Sequence, residues 1–343
     1  MTLYLGLVLF SFLFNSVLII PFIDLLYRLG FRRKRQETKD FLNRKTKIFD
    51  RFHNQKAGTP VGGGILVLAT VTFLYLLLLP ILKITGVYIQ SAYPLAEELN
   101  ILFFTFLTFA LLGFYDDLRK FFGFKKEGFF GLRMMHKLIL QLFLGIIISS
   151  LLFFNLKIDF IHIPFFGIVQ LGWWYLPFAT AVIVFFANAF NITDGLDGLS
   201  CGLLMIFLFA FWILSFSQLD TPLSVFIALW IGAILSFLYF NVYPARIMLG
   251  DVGALSFGAT MAVVGLLLGK IIAFLVIGAP FLIEAGTSFL QIMSKKFRKK
   301  SLFPVAPLHL WLQKRGWEEP KIVMRAWLAG IIFALAGLWL AGM

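Results

Sequence analysis

The chain has 343 residues, of which 60% are hydrophobic and only 14% are charged, and its mean hydropathy is +0.93. This composition excludes an ordinary soluble domain and predicts an all-α integral membrane protein. The formal net charge is +13, so the positions of the basic residues carry information about orientation in the membrane. A single cysteine, Cys201, excludes an intramolecular disulfide and any cysteine-based metal site.

Ten apolar segments are candidate transmembrane helices, since a spanning helix needs roughly 20 apolar residues. They lie near residues 3–23, 60–82, 100–115, 137–155, 173–189, 198–217, 221–240, 252–269, 271–292 and 322–342. The first is interpreted as a spanning helix and not as a cleaved signal peptide, because no basic residue precedes it and no small-residue cleavage site is evident. No soluble domain, long linker or repeat interrupts the pattern, so residues 1–343 are predicted to form a single polytopic membrane domain.

The basic residues predict the topology. Of the 30 Lys and Arg residues, 27 fall in alternate loops or at their edges, and the other three, Lys83, Lys157 and Lys270, fall in the loops between. The positive-inside rule then places the basic loops in the cytoplasm and both termini on the outer side. Residues 158–171, in an outer loop, alternate β-branched and aromatic side chains around Pro164 and Gly167, which predicts a small hairpin.

The polar clusters that are unusual in a membrane protein all fall on the predicted cytoplasmic side. They are Asp116 and Asp117, the stretch Asn188–Ser200 with Asp194 and Asp197, the stretch Asn241–Asp251, and His309. Five aspartates on one face of a bundle repel each other unless a cation or a proton offsets their charge. Oxygen ligands without a Cys or His cluster favour Mg²⁺, or alternatively Mn²⁺, together with substrate phosphates. The pattern therefore predicts a metal-bound phosphate ester at the cytoplasmic surface.

Basic residues near these clusters divide into two groups. Lys56, Lys137, Arg246 and His309 are predicted to contact phosphate groups, whereas Arg32–Arg35 and Lys295–Lys300 are interpreted as topology signals that contact anionic lipids of the inner leaflet. Lys56 precedes a glycine-rich entrance to the second helix, where exposed backbone N–H groups suit an anion. The alternative is that these glycines only allow the second helix to pack closely.

Two other classes of protein remain open on composition and position. A transporter would place its ionisable residues near the middle of the bilayer in broken helices, whereas these residues cluster at one interface. A structural scaffold would have little need for aspartates at so many helix ends. The residues therefore predict a membrane enzyme that acts on phosphorylated substrates with a divalent metal, and no nucleic-acid partner.

Five motifs resemble a known family in sequence, order and topology. They are Lys56-Ala-Gly-Thr-Pro-Val-Gly-Gly, Asp116-Asp117-Leu-Arg-Lys, Asn188–Leu199, Asn241–Gly253, and the tail Ala306-Pro-Leu-His309 with Gly316–Trp327. The chain resembles the polyprenyl-phosphate N-acetylhexosamine-1-phosphate transferases over nearly its full length, and most closely the branch that transfers phospho-N-acetylmuramoyl-pentapeptide. The family fold has ten helices with outward, periplasmic termini in the bacterial cell (inner) membrane.

The resemblance implies that undecaprenyl phosphate attacks the β-phosphate of UDP-MurNAc-pentapeptide, which releases UMP and forms lipid I. Mg²⁺ would neutralise charge on the diphosphate. The catalytic residues implied are Asp116, Asp117, Asp251 and His309. The metal ligands implied are Asp251, with Asp116 and Asp117. The substrate-binding residues implied are Lys56, Lys137, Asn188, Asn191, Asp194, Gly195, Leu196, Asp197, Asn241, Met248 and Gln291. A homodimer is left open.

This sequence departs from the family pattern at four positions. Leu310 and Trp311 follow His309 where the branch has two further histidines, Val61 replaces a threonine, and Met248 replaces an aromatic residue that stacks on uracil. These changes leave the aspartates intact, so the reaction is retained while the donor stays open. The alternatives are a sibling enzyme that transfers GlcNAc-1-phosphate from UDP-GlcNAc, and an inactive relative that binds undecaprenyl phosphate or a partner.

Overall fold

The computed structural model describes residues 1–33, 56–122, 132 and 134–343, and the fold is a bundle of twelve described α-helices with one small hairpin. The helices are α1 Thr2–Arg28, α2 Gly63–Ile84, α3 Leu95–Phe122, α4 Met134–Phe154, α5 Tyr175–Thr193, α6 Leu199–Ser217, α7 Thr221–Asn241, α8 Asp251–Leu267, α9 Ile271–Ile277, α10 Ala279–Phe297, α11 Leu308–Lys314 and α12 Glu319–Ala341. The strands are β1 Phe160–Ile163 and β2 Gly167–Gln170, and a short 3₁₀-helix, Gly172–Trp174, precedes α5.

The ten predicted apolar segments all lie on these helices. Among the described residues, eight helices are long and apolar enough to cross a membrane, or nine if the bent pair α9–α10 counts as one span. The eighth predicted segment forms α8, which is apolar but has only 17 residues. The multi-pass, all-helical architecture is therefore confirmed, while the number of ten spans and the side on which the termini lie stay predictions.

The ninth predicted segment, residues 271–292, is not one straight helix. It is divided at Gly278 into α9 and α10, which meet at 75°. Pro280 lies in the first turn of α10, where its missing N–H costs nothing, but its ring prevents α9 from continuing straight through this point. The bend directs the second half of the segment, including Glu284, toward α11.

The predicted hairpin at residues 158–171 is confirmed. β1 and β2 pair antiparallel, with Phe160 opposite Gln170 and Ile163 opposite Gly167. It is attached to the bundle at one point by a backbone hydrogen bond from His162 to Gly269, at 3.4 Å.

Two helices, α7 and α8, form the centre of the bundle and are buried along nearly their whole length. Trp230 of α7 contacts Phe106, Phe226 and Phe257 in edge-on geometry, with ring centroids 5.2–5.7 Å apart. By contrast α1 and α12 expose rows of large apolar side chains, such as Leu13 and Leu335, as lipid-facing helices do.

A close contact between α3 and α8 brings the predicted aspartates together. A Cβ atom on Gly113 would lie 2.1 Å from the carbonyl oxygen of Asp251, so only glycine allows the two helices to approach this closely. Asp116 and Asp117 follow one turn later on α3, beside the first residue of α8.

Candidate active site

The first part of the site is a cluster of three carboxylates and two lysines, here called the carboxylate–lysine cluster. Lys120 Nζ lies 2.8 Å from Asp251, 3.3 Å from Asp116 and 3.7 Å from Asp117. Lys137 from α4 bridges Asp116, at 3.0 Å, and Asp251. Backbone N–H groups complete the arrangement: Leu132 donates to Asp116 at 2.6 Å, and Val252 donates to Asp117 at 3.1 Å. Buried carboxylates at this density are stable because ammonium groups and N–H donors meet them.

The second part of the site links the entrance of α2 to the start of α12. Lys56 Nζ lies 2.6 Å from Asp197 and 2.5 Å from Glu319. Glu319 also accepts the backbone N–H of Asp197 at 2.6 Å, and the other oxygen of Asp197 accepts the N–H of Ala245 at 3.0 Å. The Lys56 ammonium group is therefore held between two carboxylates.

Residues 194–198, here called the site loop, are fixed by contacts from several helices. Asn241, at the end of α7, accepts the N–H of Gly198 at 3.2 Å and donates to the carbonyl of Ile247 at 2.9 Å. Trp327 of α12 donates its indole N–H to the carbonyl of Gly198 at 3.2 Å. Asp194 accepts the hydroxyl of Ser200 at 2.5 Å. Burial raises the pKa of Asp194 to about 7, although the Ser200 hydroxyl acts in the opposite direction.

His309 lies directly behind the site loop. Its Nδ1 atom is 2.9 Å from Glu284 of α10, and the same carboxylate oxygen accepts the backbone N–H of His309 at 3.3 Å. Its Nε2 atom is buried without a hydrogen-bond partner among the described residues, and it faces Gly195, where a Cβ atom would lie 2.4 Å away. A carboxylate on Nδ1 favours the tautomer that leaves Nε2 as an acceptor.

A cavity opens between the carboxylate–lysine cluster and the site loop. Nine of the residues predicted from the sequence line it: Asp117, Asn191, Asp194, Gly195, Leu196, Asp197, Asn241, Met248 and Asp251. Asp116, Lys56, Lys137 and His309 stand immediately behind this lining, in contact with it. Most of the predicted site therefore converges on one cavity.

Three predicted residues lie elsewhere. Arg246, predicted to contact phosphate, is exposed and does not line the cavity. Asn188 is about one and a half turns before the end of α5. Its amide donates to Gln141 at 2.7 Å and to the carbonyl of Val184 at 2.8 Å. Gln291 of α10 binds the backbone of residues 302 and 303 through three hydrogen bonds of 2.8–3.0 Å. In this structure Gln291 holds the loop before α11 in place.

The two positions that replace histidines of the related branch do not face the cavity. Leu310 is buried, and Trp311 is half-buried beside Phe303, with the guanidinium of Arg315 4.4 Å above its ring. Both side chains are packed, so they act here through apolar contact.

Four residues at the site were not predicted from the sequence as site residues. Lys120 could have been found, since it follows Asp116 and Asp117 by four and three positions on one helix face. Glu284 is the only acidic residue in its apolar segment, which is itself a signal of function. Glu319 lies in the Gly316–Trp327 motif, but nothing in that motif indicates its partners, which are more than 100 residues away. Arg33 was interpreted as a lipid-contacting residue.

Arg33 lines the cavity, in contrast to that interpretation. Its Nη1 atom lies 3.0 Å from the sulfur of Met248, and burial lowers the pKa of its guanidinium. Arg32 next to it is exposed and stacks on Tyr27, as a residue at the membrane surface would. Lys34 and Arg35 lie outside the described residues.

The charge of the site bears on the predicted magnesium ion. Among the described residues, six carboxyl groups and four cations meet at the site, and their formal charges sum to −2. The carboxyl groups are those of Asp116, Asp117, Asp194, Asp197, Asp251 and Glu319, and the cations are Arg33, Lys56, Lys120 and Lys137. No three acidic, His or Cys side chains among the described residues are arranged as a complete metal-binding group. Mg²⁺ needs only one or two carboxylates when phosphates supply the other ligands. The donors and the charge thus fit a magnesium ion that binds together with an anionic substrate.

Comparison with known proteins identifies the relatives of the chain. The family model described as Glycosyl transferase family 4 matches residues 99–269. Phospho-N-acetylmuramoyl-pentapeptide-transferase of Bacillus subtilis (strain 168) is 33% identical over 290 residues, covering 84% of this chain and 85% of that protein. The protein of the same name from Borrelia garinii subsp. bavariensis is 34% identical, covering 83% and 82%. The one from Rickettsia canadensis is 35% identical, covering 83% and 80%.

Proposed function

Because the chain belongs to the phospho-N-acetylmuramoyl-pentapeptide-transferase family, we infer that it transfers phospho-MurNAc-pentapeptide from UDP-MurNAc-pentapeptide to undecaprenyl phosphate. UMP is released and lipid I is formed. The observation that carries this inference is the cavity lined by both the site loop and the carboxylate–lysine cluster. The site loop is suited to a nucleotide, and the carboxylate–lysine cluster is suited to a reacting phosphate.

In the proposed reaction, an oxygen of undecaprenyl phosphate forms a bond to the β-phosphorus of the donor. The bond from that phosphorus to the oxygen of the α-phosphate breaks, and UMP leaves with the electron pair. Direct attack requires only that the two phosphates are held in line and that their repulsion is offset. One of Asp116 and Asp117 is proposed to accept the proton of the lipid phosphate, and Lys120 and Lys137 are proposed to limit the build-up of negative charge.

The site loop and its neighbours are proposed to hold the nucleotide. Leu196 and Met248 supply apolar surface in the cavity, while Asn191 and Asp194 supply polar groups. His309 packs its Nε2 atom against Gly195 and is proposed to hold the site loop in position from behind. Lys56 acts in this scheme by fixing Asp197.

Asp251, with Asp116 and Asp117, is proposed to hold Mg²⁺, or alternatively Mn²⁺. When bound, the ion would neutralise charge on the diphosphate and on the departing UMP. The formal charge of −2 on the surrounding side chains supports this proposal, because an anionic donor would otherwise be repelled.

The proposed location of the protein in the cell follows from its family membership. The helices give a multi-pass membrane protein, and we propose the bacterial inner membrane with the cavity at its cytoplasmic face. There the cavity would be reached by a soluble UDP-sugar and by a lipid phosphate from the bilayer, and the basic segments would contact anionic lipids.

The test is release of UMP by purified protein supplied with undecaprenyl phosphate and Mg²⁺, with UDP-MurNAc-pentapeptide and UDP-GlcNAc offered separately. We expect release with the pentapeptide donor only. Release with UDP-GlcNAc alone would assign the protein to GlcNAc-1-phosphate transfer. Absence of release with either donor would contradict an enzymatic function.

A further inference from the structure

Arg33 is anchored by backbone hydrogen bonds beside the entrance of α2. Its N–H donates to the carbonyl of Thr59 at 2.9 Å, and its carbonyl accepts the N–H of Gly58 at 2.9 Å. The neighbouring bridge joins Arg32 to Pro60, and a second bridge joins Val61 to Met248. These pairings place the Arg33 side chain at the cavity and determine the direction in which it leaves the backbone.

Arg33 differs from the other three cations at the site in the partners of its charged group. Lys56, Lys120 and Lys137 each lie within 3.0 Å of at least one carboxylate oxygen. Among the described residues Arg33 forms no ion pair, and the contact of its guanidinium within the cavity is the Met248 sulfur, a weak acceptor. A guanidinium has five N–H donors, and among the described residues only one protein acceptor for them is seen, the Met248 sulfur.

A half-buried cation whose described protein acceptor is a weak one is suited to an anionic ligand. The guanidinium is planar and binds phosphate oxygens through two parallel hydrogen bonds, which a lysine cannot do. The carboxylates that act most strongly on the Arg33 guanidinium are Asp194 and Asp197 of the site loop, ahead of Asp251. Because the site loop is proposed to hold the nucleotide, a phosphate bound to Arg33 would belong to the nucleotide and not to the lipid.

We propose that Arg33 is a substrate-contacting residue that binds a phosphate of the donor nucleotide. This rests on the proposed function for the identity of the donor. It assigns to this arginine a share of the affinity for the UMP part of the donor, whereas the lysines of the site mainly stabilise the protein's own carboxylates.

The experiment compares binding of UMP and of uridine to the full-length protein in the presence of Mg²⁺, by calorimetry or by competition. Uridine lacks the phosphate, so it reports on the base and ribose only. Arg33→Gln should weaken UMP binding about tenfold to a hundredfold, the range of a charge-assisted hydrogen bond, and leave uridine binding unchanged. Arg33→Lys should recover part of the loss.

Arg32→Gln is the matched control, because Arg32 is exposed and its guanidinium contacts Tyr27. It should bind both ligands as the wild type does. Equal weakening of UMP and uridine by Arg33→Gln would overturn the proposal, since the residue would then shape the pocket. Unchanged UMP binding would also overturn it. Both binding measurements are independent of turnover. A wild-type protein that bound UMP but produced no UMP from either UDP-sugar donor would contradict the proposed reaction, and the binding comparison would still decide the role of Arg33.

Discussion

The two ends of α3 both carry buried carboxyl groups, but only one end has the features of an active site. Asp116 and Asp117 lie at one end, and Glu98 lies about 27 Å away at the other, where its carboxyl group faces that of Asp220. Glu98 and Asp220 are as deeply buried as the two aspartates, with 0% and 2% of their surface exposed.

The two carboxyl pairs differ in their partners. Asp116 and Asp117 are met by two lysines and border an open cavity. Within the described part of the chain, Glu98 and Asp220 form no ion pair: Asp220 caps the N-terminus of α7 through the N–H of Leu223 at 3.1 Å, and Glu98 accepts the hydroxyl of Ser91. Carboxylates at a membrane interface therefore do not indicate catalysis by themselves. Cations paired with the carboxylates beside a cavity do, since the described lining of the cavity next to Asp220 contains no charged residue.

The sharpest way to test this contrast is to neutralise one aspartate at each end. Asp251→Asn should lower the rate of UMP release about a thousandfold, because a charged ligand in contact with the reacting phosphates is lost. Asp220→Asn should retain the wild-type rate. Both variants should unfold near the wild-type temperature at neutral pH, as measured by thermal unfolding in detergent. Equal rates for the two variants would remove the distinction between the two ends.

Substitution of Lys120 tests whether the active end of α3 depends on cations paired with its carboxylates and not only on burial of those carboxylates. Lys120→Gln leaves Asp116, Asp117 and Asp251 with one lysine between them, and we expect turnover to fall about a hundredfold. Arg119→Gln is the control, since Arg119 is exposed on the same turn. A Lys120 variant as active as the Arg119 variant would show that the bridging ammonium group is dispensable.

Glu319 tests whether the site loop must be held by α12. Glu319→Gln weakens the contact with Lys56 while it still offers an oxygen to the N–H of Asp197, so we expect the KM for the UDP-sugar to rise about tenfold with kcat little changed. The neighbouring Glu318 is exposed, and Glu318→Gln should have wild-type kinetics. A fall in kcat at constant KM would instead place Glu319 in the chemical step.

The smallest expected effect concerns the pH dependence of stability at the other end of α3. Burial raises the pKa of Asp220 to about 6, above its value of about 4 in an unfolded chain. The protonated carboxyl therefore stabilises the fold below about pH 4, and this contribution is lost as the pH rises through 6. The unfolding temperature of the wild type should fall by a few degrees between pH 4 and pH 7, relative to that of Asp220→Asn. Parallel curves for the two proteins would contradict this assignment.

The fold was largely predictable because each long helix is formed by a continuous apolar segment, and such a segment can be read directly from the sequence. The bend at Gly278 was not predicted, since Pro280 in an apolar segment is compatible with either a kink or a continuous span. The aspartates of the site could be predicted because they occupy helix ends at one interface and match a family motif.

The partners of these aspartates were harder to predict, and the reason is distance along the chain. Lys120 is local to its carboxylates and had a visible signal. Glu319 reaches Lys56 from 263 residues away, and no periodicity or spacing relates the two. Arg33 lies in a run of basic residues that was predicted to set the orientation in the membrane, so nothing in the composition around it indicated a side chain that lines the cavity.

The most direct test of the account is to locate the bound nucleotide. 4-Thiouridine 5′-monophosphate can be photo-crosslinked to the full-length protein in the presence of Mg²⁺, and the modified peptides identified by mass spectrometry. We predict crosslinks to the site loop or to Met248, reduced by excess UMP. A second cavity at the opposite end of the bundle is lined by Tyr88 and Thr221, beside Asp220. Crosslinks confined to that end would contradict the assignment of the active site.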